Sequence, residues 1–341
     1  MKAYMLVEKD KLELVDLPMR KPARNEMLLK VEACSICGSD LEGLHGIHPK
    51  VVMPVVMGHE MASTVVEVGA DVKQFKPGDR VAGTGSVSCG RCANCLAGRR
   101  HECLSPLSPG FTGQGAYAEY FICTPHSVTL IPEGISFDEA AVAQPAGIAN
   151  HAVTQRAKIL AGELVLVQGC GPIGLSAMRH AKLAGAKVVS TDIVDYRCDY
   201  AVELGADVVL NAHRDDVRQA IMDLSGGKGA DKVIECVGGA QDETIPQAVR
   251  CVKNGGLVTV VGSFAEDRAT LPIINFKFSE KAIIGSQGMA PGYAAIFDLV
   301  LSGKMDLTAL ISHTISLDEL PQGLAMMDTK SDNVMKVVVR P

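Results

Sequence analysis

The 341-residue chain is long enough for two domains of ordinary size, each with its own core. Charged residues make up 21% of it and the formal net charge is −6, with acids and bases interspersed; Arg99-Arg100-His101 is too small a footprint for nucleic acid. The N-terminal stretch MKAYMLVEKDKLELVD is charged too early for a secretory signal, and no apolar run approaches the ~20 residues of a membrane span, so a soluble, cytoplasmic protein is expected.

In chain order, the first half reads as short alternating segments: VEACSICG (31–38), MASTVVEVG (61–69), DRVAGTG (79–85) and AYAEYFICT (116–124). Gly, Pro and Asp turns separate them, as in a compact β-rich domain. Metal-ligand residue types are interleaved there. SICGSD places Cys37 before Gly38, Ser39 and Asp40, and MGHE places His59 beside Glu60. Cys34 and Cys37 also form a CxxC, which read alone suggests a redox pair. The denser signal is CGRCANCLAGRRHEC, where Cys89, Cys92, Cys95 and Cys103 fall at spacings of two, two and seven intervening positions. In an intracellular chain, clustered thiols at such spacings read as metal ligands rather than disulfides. Four thiolates close a tetrahedral zinc shell and leave no position for substrate, so this metal is expected to be structural.

From about residue 160 short apolar strands alternate with helical stretches. The expected strands are 164–169, 187–192, 207–211, 231–238, 256–262 and 281–286; the expected helices are 173–183, 196–204, 215–224 and 245–252. That rhythm predicts an open parallel sheet with helices on both faces, over residues 148–288. Gly169-Cys170-Gly171-Pro172-Ile173-Gly174 follows the first of these strands and opens a helix, and Asp192 lies 23 positions beyond the first glycine at the end of the next strand. In that setting GxGxxG is a dinucleotide fingerprint: the glycines admit a pyrophosphate to the helix N-terminus. Asp192 can accept from the adenosine ribose and repel a 2′-phosphate, which favours NAD over NADP; its competing reading is a cap for the 196–204 helix. Arg197 lies over the adenine or is solvated. After about residue 289, a helical stretch (291–304) and strand-like VMKVVVRP (334–341) lack the parallel-sheet rhythm and are expected to return to the first half.

Taken in order, CGSD, GHE, the four-cysteine stretch, GQGAYAEY (113–120), GCGPIG, STDIVDYR (190–197) and MKVVVRP resemble the zinc-containing medium-chain alcohol dehydrogenases over essentially the whole chain. Within them the chain looks most like the polyol and threonine dehydrogenase branch.

The resemblance implies an α/β fold in which residues 1–147 and 289–341 form a GroES-like β-barrel catalytic domain and 148–288 a Rossmann domain. It implies two zincs per chain. One is structural, on Cys89, Cys92, Cys95 and Cys103; the other is catalytic, on Cys37 and His59, with Gln144 where the branch usually has a carboxylate. Ser39 matches the hydroxyl that carries the alcohol's proton away. Glu60 is a neighbouring or alternate ligand. Glu42 stands where many relatives have a relay histidine, so Glu42, His45, His48 or water takes the proton onward. The expected NAD contacts are Gly169, Gly171, Pro172, Ile173, Gly174, Asp192, Arg197, Val237, Val261, Gly262, Ser263, Ser286, Gln287 and Lys336. Residues near His45, Ser108 to Phe111 and Met289 are expected to line the substrate pocket. The implied activity is hydride transfer between NAD and a secondary alcohol or ketone, a polyol, sugar derivative or amino-polyol, in a homotetramer or homodimer.

Two other readings use the same residues. A zinc-free quinone or enone reductase of the same fold has no need of Cys37, His59 and the cysteine lobe together. A nucleotide-binding structural or regulatory protein without turnover is favoured only by Gln144.

Overall fold

The computed structural model describes every residue except Thr84, 264–267 and 290–291, and the side chain of His101. Thr84 of the segment expected at 79–85 and Pro291 at the head of the helix expected at 291–304 therefore lie outside the described residues. The chain divides into two units, Met1–Gln144 with Gly292–Pro341, and Pro145–Pro291.

The first unit opens with the antiparallel pair β1 (Lys2–Glu8) and β2 (Lys11–Asp16). There follow β3 (Met27–Ser35), α1 (Gly38–Leu44), β4 (Val55–Val56), β5 (Glu60–Val68), β6 (Arg80–Gly83), α2 (Ala93–Leu96), β7 (Tyr120–Cys123) and β8 (Val128–Leu130). Strand β3 is the axis of the unit, pairing antiparallel with β5 and with β7. Paired along its length and covered on both faces, it is buried almost throughout, unlike the alternation expected of segment 31–38. Leu29, Val31, Ile36, Met57, Met61, Val81 and Tyr117 are the centre of its core.

The helix α3 (Phe137–Asn150), continued by a π-helical turn at His151–Ala157, carries the chain into the second unit. There β9 (Leu164–Gln168), α4 (Pro172–Leu183), β10 (Lys187–Asp192), α5 (Asp195–Glu203), β11 (Val208–Asn211), α6 (Val217–Leu224), β12 (Ala230–Glu235), α7 (Gln241–Cys251), β13 (Val252–Val260), α8 (Ile273–Phe278) and β14 (Ala282–Gly285) alternate. The six strands are parallel in the order β11-β10-β9-β12-β13-β14, as the apolar rhythm predicts. Three boundaries in this unit differ from expectation by three or more residues, among them the start of α7, at Gln241 rather than 245. Strand β12 stops at Glu235 because the chain turns out of the sheet there. Strand β13 starts at Val252 rather than 256, carrying Asn254-Gly255-Gly256 as an irregularity between the Ala230–Val252 and Lys232–Leu257 pairs.

The chain then returns to the first unit through α9 (Tyr293–Leu301), β15 (His313–Ser316), α10 (Leu320–Thr329) and β16 (Val337–Arg340). Strand β16 pairs with β3 at Val338–Ser35 and Val339–Cys34, so the closing MKVVVRP does rejoin the first half. No helix among the described residues is long and apolar enough to cross a membrane.

Candidate active site

Cys37 is the N-cap of α1, in extended backbone, and its N–H donates to Asp40 Oδ2 at 3.0 Å, a capping box with cysteine as cap. The same carboxylate accepts from Tyr117 Oη at 2.6 Å, and its other oxygen lies 3.4 Å from His59 Nδ1. That last separation is an ion-pair distance without hydrogen-bond geometry, and both atoms are otherwise unpartnered among the described residues. Gly58 sets the approach of His59. Its φ is +91°, and a Cβ there would stand 2.8 Å from the Tyr117 ring, so only glycine fits. Asp40 faces Nδ1, which leaves Nε2 as the imidazole's outward atom, the arrangement that orients a metal-ligating histidine.

Glu60, the first residue of β5, is fully buried. Its Oε2 receives the Lys336 ammonium at 2.6 Å and the Ser35 hydroxyl, while Oε1 has no hydrogen-bond partner among the described residues. Donor atoms of Cys37, His59 and Glu60 all lie within 4.8 Å of one another. Ser39 Oγ donates to Cys37 Sγ at 3.2 Å. Gln144 approaches from α3: a Cβ on Gly85 would be 3.1 Å from His59 Cδ2 and 3.4 Å from Gln144 Nε2. A thiolate, an imidazole and a buried carboxylate with an unpartnered oxygen make an N/O/S donor set that fits zinc. Burial opposes charge on His59, but Asp40 and Cys37 outweigh it and raise its pKa well above the usual value. Burial likewise pushes the Asp40 carboxyl up, and His59, Tyr117 and the Cys37 N–H together bring it below its usual value. The pocket thus favours positive charge where a metal would sit.

The relay candidates separate. His45 bridges Asp10 (2.6 Å) and Asp328 (3.2 Å) through its two ring nitrogens, and these contacts raise its pKa. His48 stacks on Phe111 with centroids 4.4 Å apart, and Phe111 lies 4.9 Å from the His59 ring. His48 Nδ1 accepts from Lys50 N, which fixes the neutral tautomer with its proton on Nε2. Met289 lies against Gly147 in the second unit.

In the lobe, Cys89 and Cys95 sulfurs are 4.0 Å apart, as are those of Cys92 and Cys103. Tetrahedral Zn–S bonds of about 2.3 Å imply sulfur separations of about 3.8 Å, so four thiolates here fit one zinc. Backbone N–H groups of Leu104 and Cys95 lower the Cys92 thiol to about 6. Backbone bonds from Arg91 and Cys92 lower Cys89, whereas burial pushes Cys95 up to about 11.

In the second unit, Gly169 takes φ +88° after β9, and a Cβ on Gly174 would overlap the Gly169 carbonyl, so α4 begins hard against the strand end. Gly171 caps α4 with Pro172 and Ile173 in its first turn, and a Cβ there would meet only Arg197 Nη1, at 3.9 Å. Asp192 Oδ2 accepts from Cys170 N (2.7 Å) and Oδ1 from Ile193 N (2.8 Å) and Val194 N (3.0 Å). A carboxylate has about four acceptor sites, so one remains. The cap of α5 is Val194, not Asp192. Val237, Val261, Gly262, Ser263, Ser286 and Gln287 all follow the carboxyl ends of β12, β13 and β14. Ser286 Oγ is buried without a partner among the described residues, and Gln287 is exposed. Lys336 belongs to the first unit, its ammonium on Glu60 and on the Ile36 carbonyl (2.8 Å), with one N–H left. Sequence reasoning gave no role to Asp40, Tyr117 or Ser35. The first two stand inside the quoted CGSD and GQGAYAEY, and only their mutual contact reveals what they do.

A β-rich unit with a zinc-fitting donor cluster and a unit with a dinucleotide sheet together define a metal-linked, nucleotide-dependent oxidoreductase. Residues 23–133 match the alcohol dehydrogenase GroES-like domain and residues 172–302 the zinc-binding dehydrogenase domain. The chain is 34% identical over 330 residues to an L-threonine 3-dehydrogenase of Anaeromyxobacter sp., covering 95% of this chain and 93% of that one. It is 35% identical over 322 residues to the one of Chromobacterium violaceum, covering 93% of each. Among solved structures it matches a zinc-binding dehydrogenase from Sinorhizobium meliloti bound to NADP, with a TM-score of 0.91, 32% identity and coverage of 100% of this chain and 99% of that one. It also matches 2R,3R-butanediol dehydrogenase from Bacillus subtilis at a TM-score of 0.89 and 26% identity, covering 100% and 99%. The chain belongs to the zinc-binding dehydrogenase family, on the alcohol dehydrogenase fold.

Proposed function

We propose that the protein is a zinc-dependent, NAD-linked dehydrogenase of a secondary alcohol in the polyol, sugar-derivative or amino-polyol class, working as a homotetramer or homodimer in the cytoplasm. The observation that carries this reading is the convergence of Cys37, His59 and Glu60 donors within 4.8 Å. Cys37, His59 and Glu60 would hold the catalytic zinc, and Gln144 would flank it as an amide; Cys89, Cys92, Cys95 and Cys103 would hold the second. Zinc supplies Lewis acidity to the substrate oxygen, and the nicotinamide supplies the hydride acceptor. With Cys37 and Glu60 anionic, Lys336 and Asp40 cancel each other, so a dication leaves the centre near neutral without a carboxylate at 144.

Around that centre the chain's own groups manage the proton. Ser39, hydrogen-bonded to Cys37, is the first acceptor of the substrate's hydroxyl proton. Neither His45, whose nitrogens are both engaged, nor His48, whose acceptor nitrogen is taken by Lys50 N, offers a lone pair for the next step, so the proton goes onward through Glu42 or water. Asp40 and Tyr117 keep His59 in one orientation.

Asp192 supports NAD, since its buried carboxylate opposes a 2′-phosphate; the NADP-bound relative makes this a point to measure. The threonine and butanediol dehydrogenases among its relatives support a small secondary alcohol with a neighbouring amine or hydroxyl. The test is a panel of L-threonine, vicinal diols and polyols with NAD and NADP, before and after chelation. Turnover that needs zinc and prefers NAD is expected; zinc-independent reduction of enones or quinones instead would overturn the reading.

A further inference from the structure

One deeply buried acid in the second unit has no part in the chemistry above. Glu235 is the last residue of β12 and is fully buried; its register partner is Gln168, the last residue of β9 and equally enclosed. These two strands flank the point where strand order reverses, where open parallel sheets bind their ligands. Glu235 Oε1 accepts from Val237 N and Thr244 Oγ1, each at 3.0 Å, and Oε2 has no hydrogen-bond partner among the described residues. Gln168 Nε2 donates to the Thr244 carbonyl at 3.2 Å and to Gln247 Oε1 at 2.7 Å, and its Oε1 is also without a partner. A carbonyl only accepts, so the Gln168 nitrogen must face Thr244, and flipping the amide offers Glu235 no donor. Among the described residues, two acceptor oxygens on register-paired side chains of one sheet face are therefore without a donor.

We propose that Glu235 is carried protonated, its O–H donated to Gln168 Oε1, and that this neutral carboxyl positions the Val237 and Gly262 backbone against which the nicotinamide half of the dinucleotide binds. The proposal rests on the nucleotide reading of this unit: Asp192 on β10 draws the adenosine half to β9–β11, leaving β12–β14 for the other. Gly262 packs directly on the carboxyl, since a Cβ there would stand 2.9 Å from Glu235 Oε2. Burial raises the acid's pKa to about 7 against the lowering influence of Thr244, Val237 and the nearby Gly262 N–H, whose own hydrogen bond goes to the Glu235 backbone carbonyl at 3.1 Å, with no charged side chain contributing. Among titratable neighbours, the Cys236 thiol is raised by burial and by Glu235, and His180 on α4 is held at about 4 by burial. His151 lies in the π-helical turn packed on β12, and the α7 charges Asp242, Glu243 and Arg250 are exposed.

Glu235→Gln is isosteric with the protonated acid. NADH and NADPH are titrated by fluorescence into the zinc-loaded wild type and E235Q from about pH 6 to about pH 8.5. The two proteins are expected to bind the preferred dinucleotide alike at the low end. Wild-type affinity then falls several-fold through about pH 7, where E235Q stays level. Infrared difference spectra should show a protonated carboxylic acid band at low pH in the wild type and none in E235Q. Parallel pH profiles, a missing band, or an E235Q protein that fails to fold or bind at low pH would overturn the proposal, because a neutral isostere must be tolerated where the native group is neutral. A wild type that binds neither dinucleotide at any pH removes the nucleotide reading and this proposal together; binding with parallel profiles removes this proposal alone.

Discussion

At the scale of single residues, Glu60 and Gln144 carry the account's sharpest choice. Glutamine at 144 looks like a lost ligand when the sequence is read alone, yet buried Glu60 brings an unpartnered oxygen to the same cluster. Glu60→Gln should therefore weaken zinc at this site by at least about 10–100-fold while the cysteine lobe keeps its metal, measured by competitive chelator titration. Gln144→Glu should change affinity far less; a large gain there with little loss in Glu60→Gln would reverse the two assignments. Cys37 and His59 were legible because their spacing survives in short motifs. Asp40 and Tyr117, 77 residues apart, were not, and Lys336 was expected only as a cofactor contact rather than beside Glu60 and the Ile36 carbonyl, 300 residues away, since only folding makes these groups neighbours. The Asp192 carboxylate is a further test at this scale. It also holds three backbone N–H groups, so Asp192→Asn, which keeps an acceptor and removes the charge, is the informative change. NAD affinity should fall by roughly 10–100-fold, the loss of one charged hydrogen bond, and NADP should gain relative to it. A variant whose NAD-to-NADP ratio is unchanged by equilibrium titration would exclude Asp192 from cofactor choice.

At the scale of elements, the parallel strands were readable because each is a short apolar run closed by Gly, Asp or Asn. What escaped was the start of β13, expected at 256 but lying at Val252, with Asn254-Gly255-Gly256 carried inside the strand as an irregularity. The uniform burial of β3 escaped too, because pairing on both sides is a property of the sheet rather than of the segment. The lobe is the clearest element in both views: a four-residue helix, α2, cannot hold itself, so the thiolates must. Cys95→Ser should remove one zinc per chain and lower Tm, with the Cys37 cluster still metallated, by metal analysis and calorimetry. A folded variant that keeps the lobe's metal yet loses only turnover would contradict a structural role.

For the whole molecule, the central claim is that zinc at Cys37, His59 and Glu60 and a nicotinamide dinucleotide on the parallel sheet serve one reaction, hydride transfer from a secondary carbinol. The direct measurement is isotope transfer. A secondary alcohol deuterated at the carbinol carbon, chosen from the substrates that support turnover, is incubated with NAD and zinc-loaded enzyme, and the recovered NADH is examined by NMR. Deuterium is expected at C4 of the nicotinamide, none after the Cys37 site is stripped of zinc, and again once zinc is restored. Transfer that persists without that zinc, or NADH formed without the label, would contradict it.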